Sequence, residues 1–285
     1  GLQLNQITLG NGSNDVLDLV ARAYLGPGRD AVYSQYGFAV YPISTQSVGA
    51  RGIEVPARDY GHDLDAMLAA ITPQTSVIFV ANPNNPTGTW FSKSALTAFL
   101  ANVPERIVVV LDEAYTEYVC EPEFPNGFDY LAAHPNLIVT RTFSKAYGLA
   151  GLRVGYSVSN PQIADALNRV RQPFNVDSLA LVAAVTALGD DEYLLRSRNV
   201  NAEGLALLTA GFESLGLHYI PSVGNFITVH FDRPAQPLYQ ALLREGVIVR
   251  PVANYGMPNS LRISVGTLAE NQRFLDALAK VLKSA

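Results

Sequence analysis

The chain has 285 residues, 48% of them hydrophobic and 16% charged, with a formal net charge of −5. That apolar content can bury a substantial core in one large and one smaller unit, while the acidic balance and the scattered basic residues exclude a general nucleic-acid binder. A single cysteine, Cys120, excludes an intrachain disulfide framework and suits a reducing compartment. No apolar run approaches the ~20 residues needed to cross a bilayer, and no charged-then-apolar signal precedes the first motif. A cytoplasmic location without a membrane partner is therefore expected. His62, His134, His218 and His230 are far apart and form no ligand pattern with cysteine or carboxylates, so no metal site is expected.

In chain order, a strand entered at Ile7 leads into Leu9-Gly10-Asn11-Gly12-Ser13-Asn14-Asp15 and then a run with helical apolar spacing, Val16 to Leu25. Glycines let backbone amides approach an anion, and a helix start with Ser13 or Asn14 near its cap offers free N–H groups and the positive dipole end. A phosphate fits there. Short apolar strands then alternate with helical patterns: Ala31 to Tyr33, Gly52 to Val55, Val77 to Val80, Ile107 to Leu111, Leu137 to Thr140 and Val154 to Val158. This alternation reads as a mostly parallel sheet with both faces covered, which places ligands at strand ends.

Three strand ends carry chemistry. After Val77 to Val80 comes Ala81-Asn82-Pro83-Asn84-Asn85-Pro86-Thr87-Gly88, whose prolines and glycine fix a tight path. After Ile107 to Leu111 comes Asp112-Glu113-Ala114-Tyr115, which sets Asp112 where a buried strand opens into a crevice and suits pairing with a ring nitrogen. After Leu137 to Thr140 comes the most informative run, Arg141-Thr142-Phe143-Ser144-Lys145-Ala146-Tyr147-Gly148-Leu149-Ala150-Gly151-Leu152-Arg153-Val154-Gly155. It suits a lysine holding an aldehyde cofactor that carries a phosphate. Lys145 would form the Schiff base, Thr142 and Ser144 would offer hydroxyls, and Arg153 a charge-assisted fork.

The remainder reads as helices from Ser178 through Leu215, interrupted near Gly189-Asp190-Asp191, then strands at Asn225 to Phe231, Val247 to Arg250 and Ser260 to Val265 with helices at Pro237 to Glu245 and Leu268 to Leu282. That is a compact α+β unit. The expected division is 1–175 for the large domain and 176–285 for the interdomain helix and small domain.

These residues carry a resemblance. The chain is similar to fold-type I aminotransferases dependent on pyridoxal 5'-phosphate (PLP), most closely histidinol-phosphate aminotransferases. The likeness runs from about Ile7 to the C-terminus and rests on Gly10 to Asn14, Asn82 to Gly88, Leu111 to Tyr115, Ser144 to Gly155, Gly224-Asn225-Phe226 and Leu261 to Gly266. It implies an α/β fold with a mostly parallel seven-stranded sheet and a smaller C-terminal α+β domain. It also implies that Lys145 binds the cofactor and shuttles protons, that Asp112 pairs with the pyridine nitrogen, and that Arg262 binds the substrate carboxylate. Asn85 and Tyr115 are expected at the cofactor's phenolic oxygen, and Gly12, Ser13, Asn14, Thr142, Ser144 and Arg153 around its phosphate. Of the aromatics in Tyr33 to Tyr41, family alignment favours Tyr36 as the ring cover, with Phe38 next.

What the resemblance implies of function is a homodimeric enzyme of histidine biosynthesis that moves an amino group between histidinol phosphate, or a similar donor, and 2-oxoglutarate by a ping-pong mechanism. Arg262 would then meet both the phosphate and glutamate's carboxylate. Aromatic amino acid aminotransferases and threonine-phosphate decarboxylases share these motifs. The family's N-terminal segment, with its Asn-Glu-Asn-Pro-like motif and a tyrosine reaching the neighbouring subunit, is absent from this sequence. A truncated PLP-binding body without turnover is the alternative of another class. A dinucleotide loop at Gly10-x-Gly12 lacks its third glycine, since position 15 is Asp15.

Overall fold

The computed structural model describes residues 1–284. The chain opens with β1 (Ile7–Gly10) and α1 (Ser13–Tyr24), followed by β2 (Asp30–Ser34), α2 (Val40–Ser47), β3 (Arg51–Val55), α3 (Leu64–Ala69), β4 (Thr75–Ala81), α4 (Lys93–Asn102), β5 (Val108–Asp112), β6 (Leu137–Thr142), β7 (Gly155–Ser159) and α5 (Pro161–Val170). Its seven strands form one sheet in the order β1-β7-β6-β5-β4-β2-β3. Strands β2 to β6 run parallel, and β7 runs antiparallel to both β6 and β1. Mostly parallel order needs cover on both faces, and every residue of β2, β4 and β5 is buried.

Period-two alternation distributes those strands between two cores. Tyr33, Val77, Phe79 and Val110 meet Leu17 and Val20 of α1, Tyr41 of α2 and Leu167 of α5. Val32, Ile78, Val80, Val109 and Leu111 meet Met67 of α3 and Leu96 and Phe99 of α4 on the other side. Helix α5 starts on an Asn160 cap with Pro161 in its first turn, where a missing N–H costs nothing.

Helices α6 (Ser178–Leu188) and α7 (Asp191–Ser214) lead to the second unit, with the break at Gly189 and the Asp190 cap of α7. There β8 (His218–Ile220), β9 (Phe226–His230), β10 (Arg250–Pro251) and β11 (Ser260–Ser264) form an antiparallel sheet in the order β10-β11-β9-β8. Leu208 and Phe212 of α7, Leu238 and Leu242 of α8 (Ala235–Arg244), and Phe274 and Leu278 of α9 (Leu268–Ser284) close over it. Of the strand expected over Val247–Arg250, only Arg250 is in a strand, as the first residue of the two-residue β10. Pairing starts only where Arg250 meets Arg262, and Ile248 is 83% exposed. Strand β8 was not foreseen; three residues carry too little alternation to register.

His62, between β3 and α3, accepts the Ala81 N–H at the end of β4 through Nε2 (3.0 Å), while its Nδ1 is enclosed without a partner. Burial holds this imidazole down to about 4 from an ordinary 6.5. Between those values the unfolded chain takes up a proton that the native chain refuses, so stability falls as pH drops through that window. His62→Gln should lose less stability than the parent on going from about pH 7 to about pH 5, by about 2 kcal/mol in thermal melts. Parallel losses in the two proteins would contradict this.

Candidate active site

The carboxyl ends of β4, β5 and β6 meet the start of α1 and the β10–β11 edge around a cavity of about 310 Å³. Ten of the twelve site residues expected from sequence line it: Ser13, Asn14, Asn85, Asp112, Tyr115, Thr142, Ser144, Lys145, Arg153 and Arg262. Gly12 stands immediately behind the lining. Tyr36 does not line the cavity. Its ring stacks on Tyr60 at 5.6 Å and its carbonyl accepts from Asn84 Nδ2 at 2.9 Å. Phe38, two residues on, supplies the aromatic wall instead, because the turn at Gly37 faces successive rings in different directions.

At the floor, Asp112 is 5% exposed and each of its oxygens is satisfied. Tyr41 Oη donates to Oδ2 at 3.0 Å and Thr140 Oγ1 to Oδ1 at 3.1 Å. Burial pushes this carboxyl up, and those two hydroxyls, the Ala114 N–H and the Lys145 charge pull it back. Tyr41 is fully buried and stacked on Phe79, with centroids 4.9 Å apart and planes within 7°. Burial first, then the Asp112 charge, raise its hydroxyl far above the ordinary range, so it stays a donor. Neither Tyr41's tie to Asp112 nor Thr140's was read from the sequence; a residue's place in an aromatic run does not reveal where its hydroxyl points.

Lys145 lies above Asp112, with Nζ 5.2 Å from the Tyr115 ring centroid. Burial lowers the basicity of its amine, the Arg262 charge lowers it further, Asp112 opposes, and Arg153 adds a smaller decrease. Arg141, from the same run, serves the scaffold: it pairs with the buried Glu113 at 2.7 Å and lies over the Phe128 ring.

One end of the cavity is built for an anion. Arg153, itself in the left-handed backbone region at φ 54°, directs Nη1 to Ser144 Oγ (3.2 Å) and Ala150 O (3.0 Å) and Nη2 to Asn11 O (3.4 Å). Gly12, at φ 80°, caps α1. A Cβ there would come within 2.5 Å of Arg153 Nη2, and one on Gly155 within 2.3 Å of the Ser13 nitrogen. A side chain at Gly155 would thus collide with the backbone of the α1 start, and one at Gly12 would be strained by its left-handed φ and displace the Arg153 fork. Helix amides, two hydroxyls and a guanidinium, with a lysine beside them, fit the phosphate and aldehyde of PLP.

The other end also carries positive charge. Arg262 donates to Asn85 Oδ1, lies over the Phe226 ring at 5.0 Å, and keeps an enclosed Nε without a partner. Directly across the β10–β11 pair stands Arg250, which also lines the cavity, as does Tyr255 from the intervening turn. Sequence reading missed both. The available signal was register: a strand ending on Arg250 beside one centred on Arg262. Among the described residues there is no group of three His, Cys, Asp or Glu side chains that could hold a metal ion, and no helix is long and apolar enough to cross a membrane.

Fold and site together define a PLP-type enzyme body: a lysine and a buried aspartate at the ends of a mostly parallel sheet, facing a helix-start phosphate cup. The sequence profile of the family "Aminotransferase class I and II" matches residues 2–278, and the chain belongs to that family. It is 67% identical over 277 residues to histidinol-phosphate aminotransferase 2 of Pseudomonas aeruginosa, covering 97% of this chain and 75% of that one. It is 65% identical over 281 residues to the enzyme of the same name from Pseudomonas fluorescens, covering 99% and 76%. The chain thus spans about three quarters of these relatives. A histidinol-phosphate aminotransferase from Sinorhizobium meliloti, solved in complex with PLP, superposes with a TM-score of 0.93 at 32% identity, covering 98% of this chain and 77% of that one.

The charge balance around Lys145 has a measurable consequence. Arg262→Met removes one of the groups that lower its basicity, so the pH at which Lys145 becomes reactive toward an amine-specific reagent should rise. An unchanged pH profile of labelling at Lys145 would contradict this assignment of the shift.

Proposed function

We propose that this aminotransferase moves an amino group between L-histidinol phosphate, or a similar amino donor, and 2-oxoglutarate in a ping-pong cycle. The observation that carries the reading is the second anion site, where Arg250 and Arg262 stand opposite each other and both line the cavity. Two guanidinium forks suit a phosphate dianion, and one fork still suits the carboxylate of a glutamate-type partner. The names of the Pseudomonas relatives support a phosphorylated donor.

When bound, PLP supplies an aldehyde that captures amines and a protonated ring that accepts the electrons of a broken Cα–H bond. In this reading Ser13, Asn14, Thr142, Ser144 and Arg153 hold its phosphate, with Gly12 clearing the space behind. Asp112 holds the proton on the ring nitrogen, and the Tyr41 and Thr140 hydroxyls keep that carboxylate charged. Asn85 and Tyr115 serve the phenolic oxygen, and Phe38 covers the ring. Lys145 would hold the aldehyde, and its Nζ is the base that would take the substrate Cα proton. Its lowered basicity increases the neutral fraction available for both tasks.

The working unit in this proposal is a homodimer. Helix α6 leaves Leu179, Val182, Val185 and Leu188 more than half exposed, and Phe174 just before it is 97% exposed. An apolar face of that kind marks a contact surface, and a two-fold pair is the commonest assembly. Sedimentation that finds only monomers at micromolar concentration would contradict it.

A decarboxylase acting on threonine phosphate would also use two arginines, and release of carbon dioxide would identify it. For the proposed reaction, Arg250→Ala should weaken histidinol phosphate in the PLP half-reaction by about tenfold or more and glutamate by less than about threefold. Equal losses for the two donors would contradict the assignment of Arg250 to the phosphate.

A further inference from the structure

The segment between α5 and α6 is far in sequence from the phosphate cup, yet it reaches the cup's back wall through one side chain. Asn175 Nδ2 donates to Asp15 Oδ2 at 2.7 Å and to Leu9 O at 3.1 Å, using both of its hydrogens. Its Oδ1 accepts from Arg171 Nη1 at 2.8 Å, and its backbone carbonyl accepts from Asn11 Nδ2 at 3.1 Å. Every polar atom of the side chain is therefore committed. Asp15 Oδ2 also accepts the Asn11 N–H at 2.8 Å, and the Asn11 carbonyl in turn accepts from Arg153 Nη2.

We propose that Asn175 is a positioning residue for the phosphate cup, acting through Asp15 and Asn11 on the loop that carries Gly12, Ser13 and Asn14. The inference rests on the PLP reading of the site above. The loop turns sharply enough that Gly12 sits at φ 80°, and its local bonds are the Gly12 N–H to Gly10 O, the Asp15 N–H to Gly12 O and the Asn11 N–H to the Asp15 carboxylate, so the placing of Asp15 decides how the turn is held. Leu9 precedes the turn and Asp15 follows it, so a side chain bonded to both fixes the distance across it. Asn11, at the tip, orients Arg153.

A charge argument points the same way. Asp15 lies in the first turn of α1, where a carboxylate stabilises a helix but competes with any anion that the helix start should bind. The Asn175 amide and the Asn11 N–H together engage one oxygen of that carboxylate. They hold it against the loop and screen its charge with donors. Asparagine fits this place because it must donate twice and accept once. Aspartate would put a second negative charge beside Asp15, and alanine would leave Leu9 O and Asp15 without their partner.

Phosphate dependence separates this role from general stabilisation. Equilibrium titrations of the full chain with PLP and with pyridoxal, which lacks the phosphate, should show that Asn175→Ala weakens PLP by about tenfold and pyridoxal by less than about twofold. Asn11→Ala, which deletes one exposed contact of the same brace, should weaken PLP selectively by about threefold, and it supplies the test if Asn175→Ala does not fold. Unchanged PLP affinity in these variants, or equal losses for PLP and pyridoxal, would overturn the proposal. An unsubstituted chain that binds neither compound would instead overturn the PLP reading beneath it.

Discussion

A carboxylate buried at the end of the central strand is the constraint around which the site is arranged. Asp112 closes β5 with 5% of its surface exposed, and an ionised group in that position is intolerable unless it is paired and hydrogen-bonded. Three elements answer that demand. Helix α2 delivers the Tyr41 hydroxyl, strand β6 delivers Thr140, and the loop after β6 brings the Lys145 charge. The Tyr41 hydroxyl thus adds a polar tie to the apolar packing of α2 on the sheet, where the same ring stacks on Phe79. The same three contacts leave the carboxylate facing a cavity that a cationic ring nitrogen would complete.

Around that floor the protein separates two regions of positive charge by fold rather than by chance. Arg153 and the α1 start belong to the large sheet, whereas Arg250 and Arg262 arrive on the small one. The turn at 82–89 joins them. Thr228 Oγ1 of β9 donates to Pro86 O at 2.6 Å, and the Val223 N–H donates to Gly88 O at 3.1 Å, so the small unit grips the same loop that carries Asn85. Asn85 then accepts from Arg262. Arg153 and Arg262 are each held by protein partners rather than by solvent alone, Arg153 by Ser144, Ala150 and Asn11 and Arg262 by Asn85.

Much of this was legible in the sequence because the chemistry is concentrated in short local runs. Lys145, Thr142, Ser144 and Arg153 lie within one stretch, and strand periodicity places Asp112 and Asn85 at strand ends without further information. What escaped depends on long-range geometry. Tyr36 and Phe38 are two residues apart with a glycine between them, and only the path of that turn decides which ring faces the cavity. Arg250 gains its place from register with Arg262, and Tyr41 from the angle at which α2 packs. Asn175 meets Asp15 across 160 positions, a contact that no local pattern announces. Strand β8 is too short to show an alternation.

The central claim is that Lys145 is the residue that captures the cofactor. The chain has four lysines, and the other three, Lys93, Lys280 and Lys283, lie on the surface. Treating the chain with PLP, reducing with borohydride and mapping the phosphopyridoxyl group by peptide mass spectrometry tests the claim directly. The account predicts near-complete, stoichiometric label on the peptide containing Lys145 and loss of that label in Lys145→Ala. Label spread over the surface lysines, or none on Lys145, would contradict it.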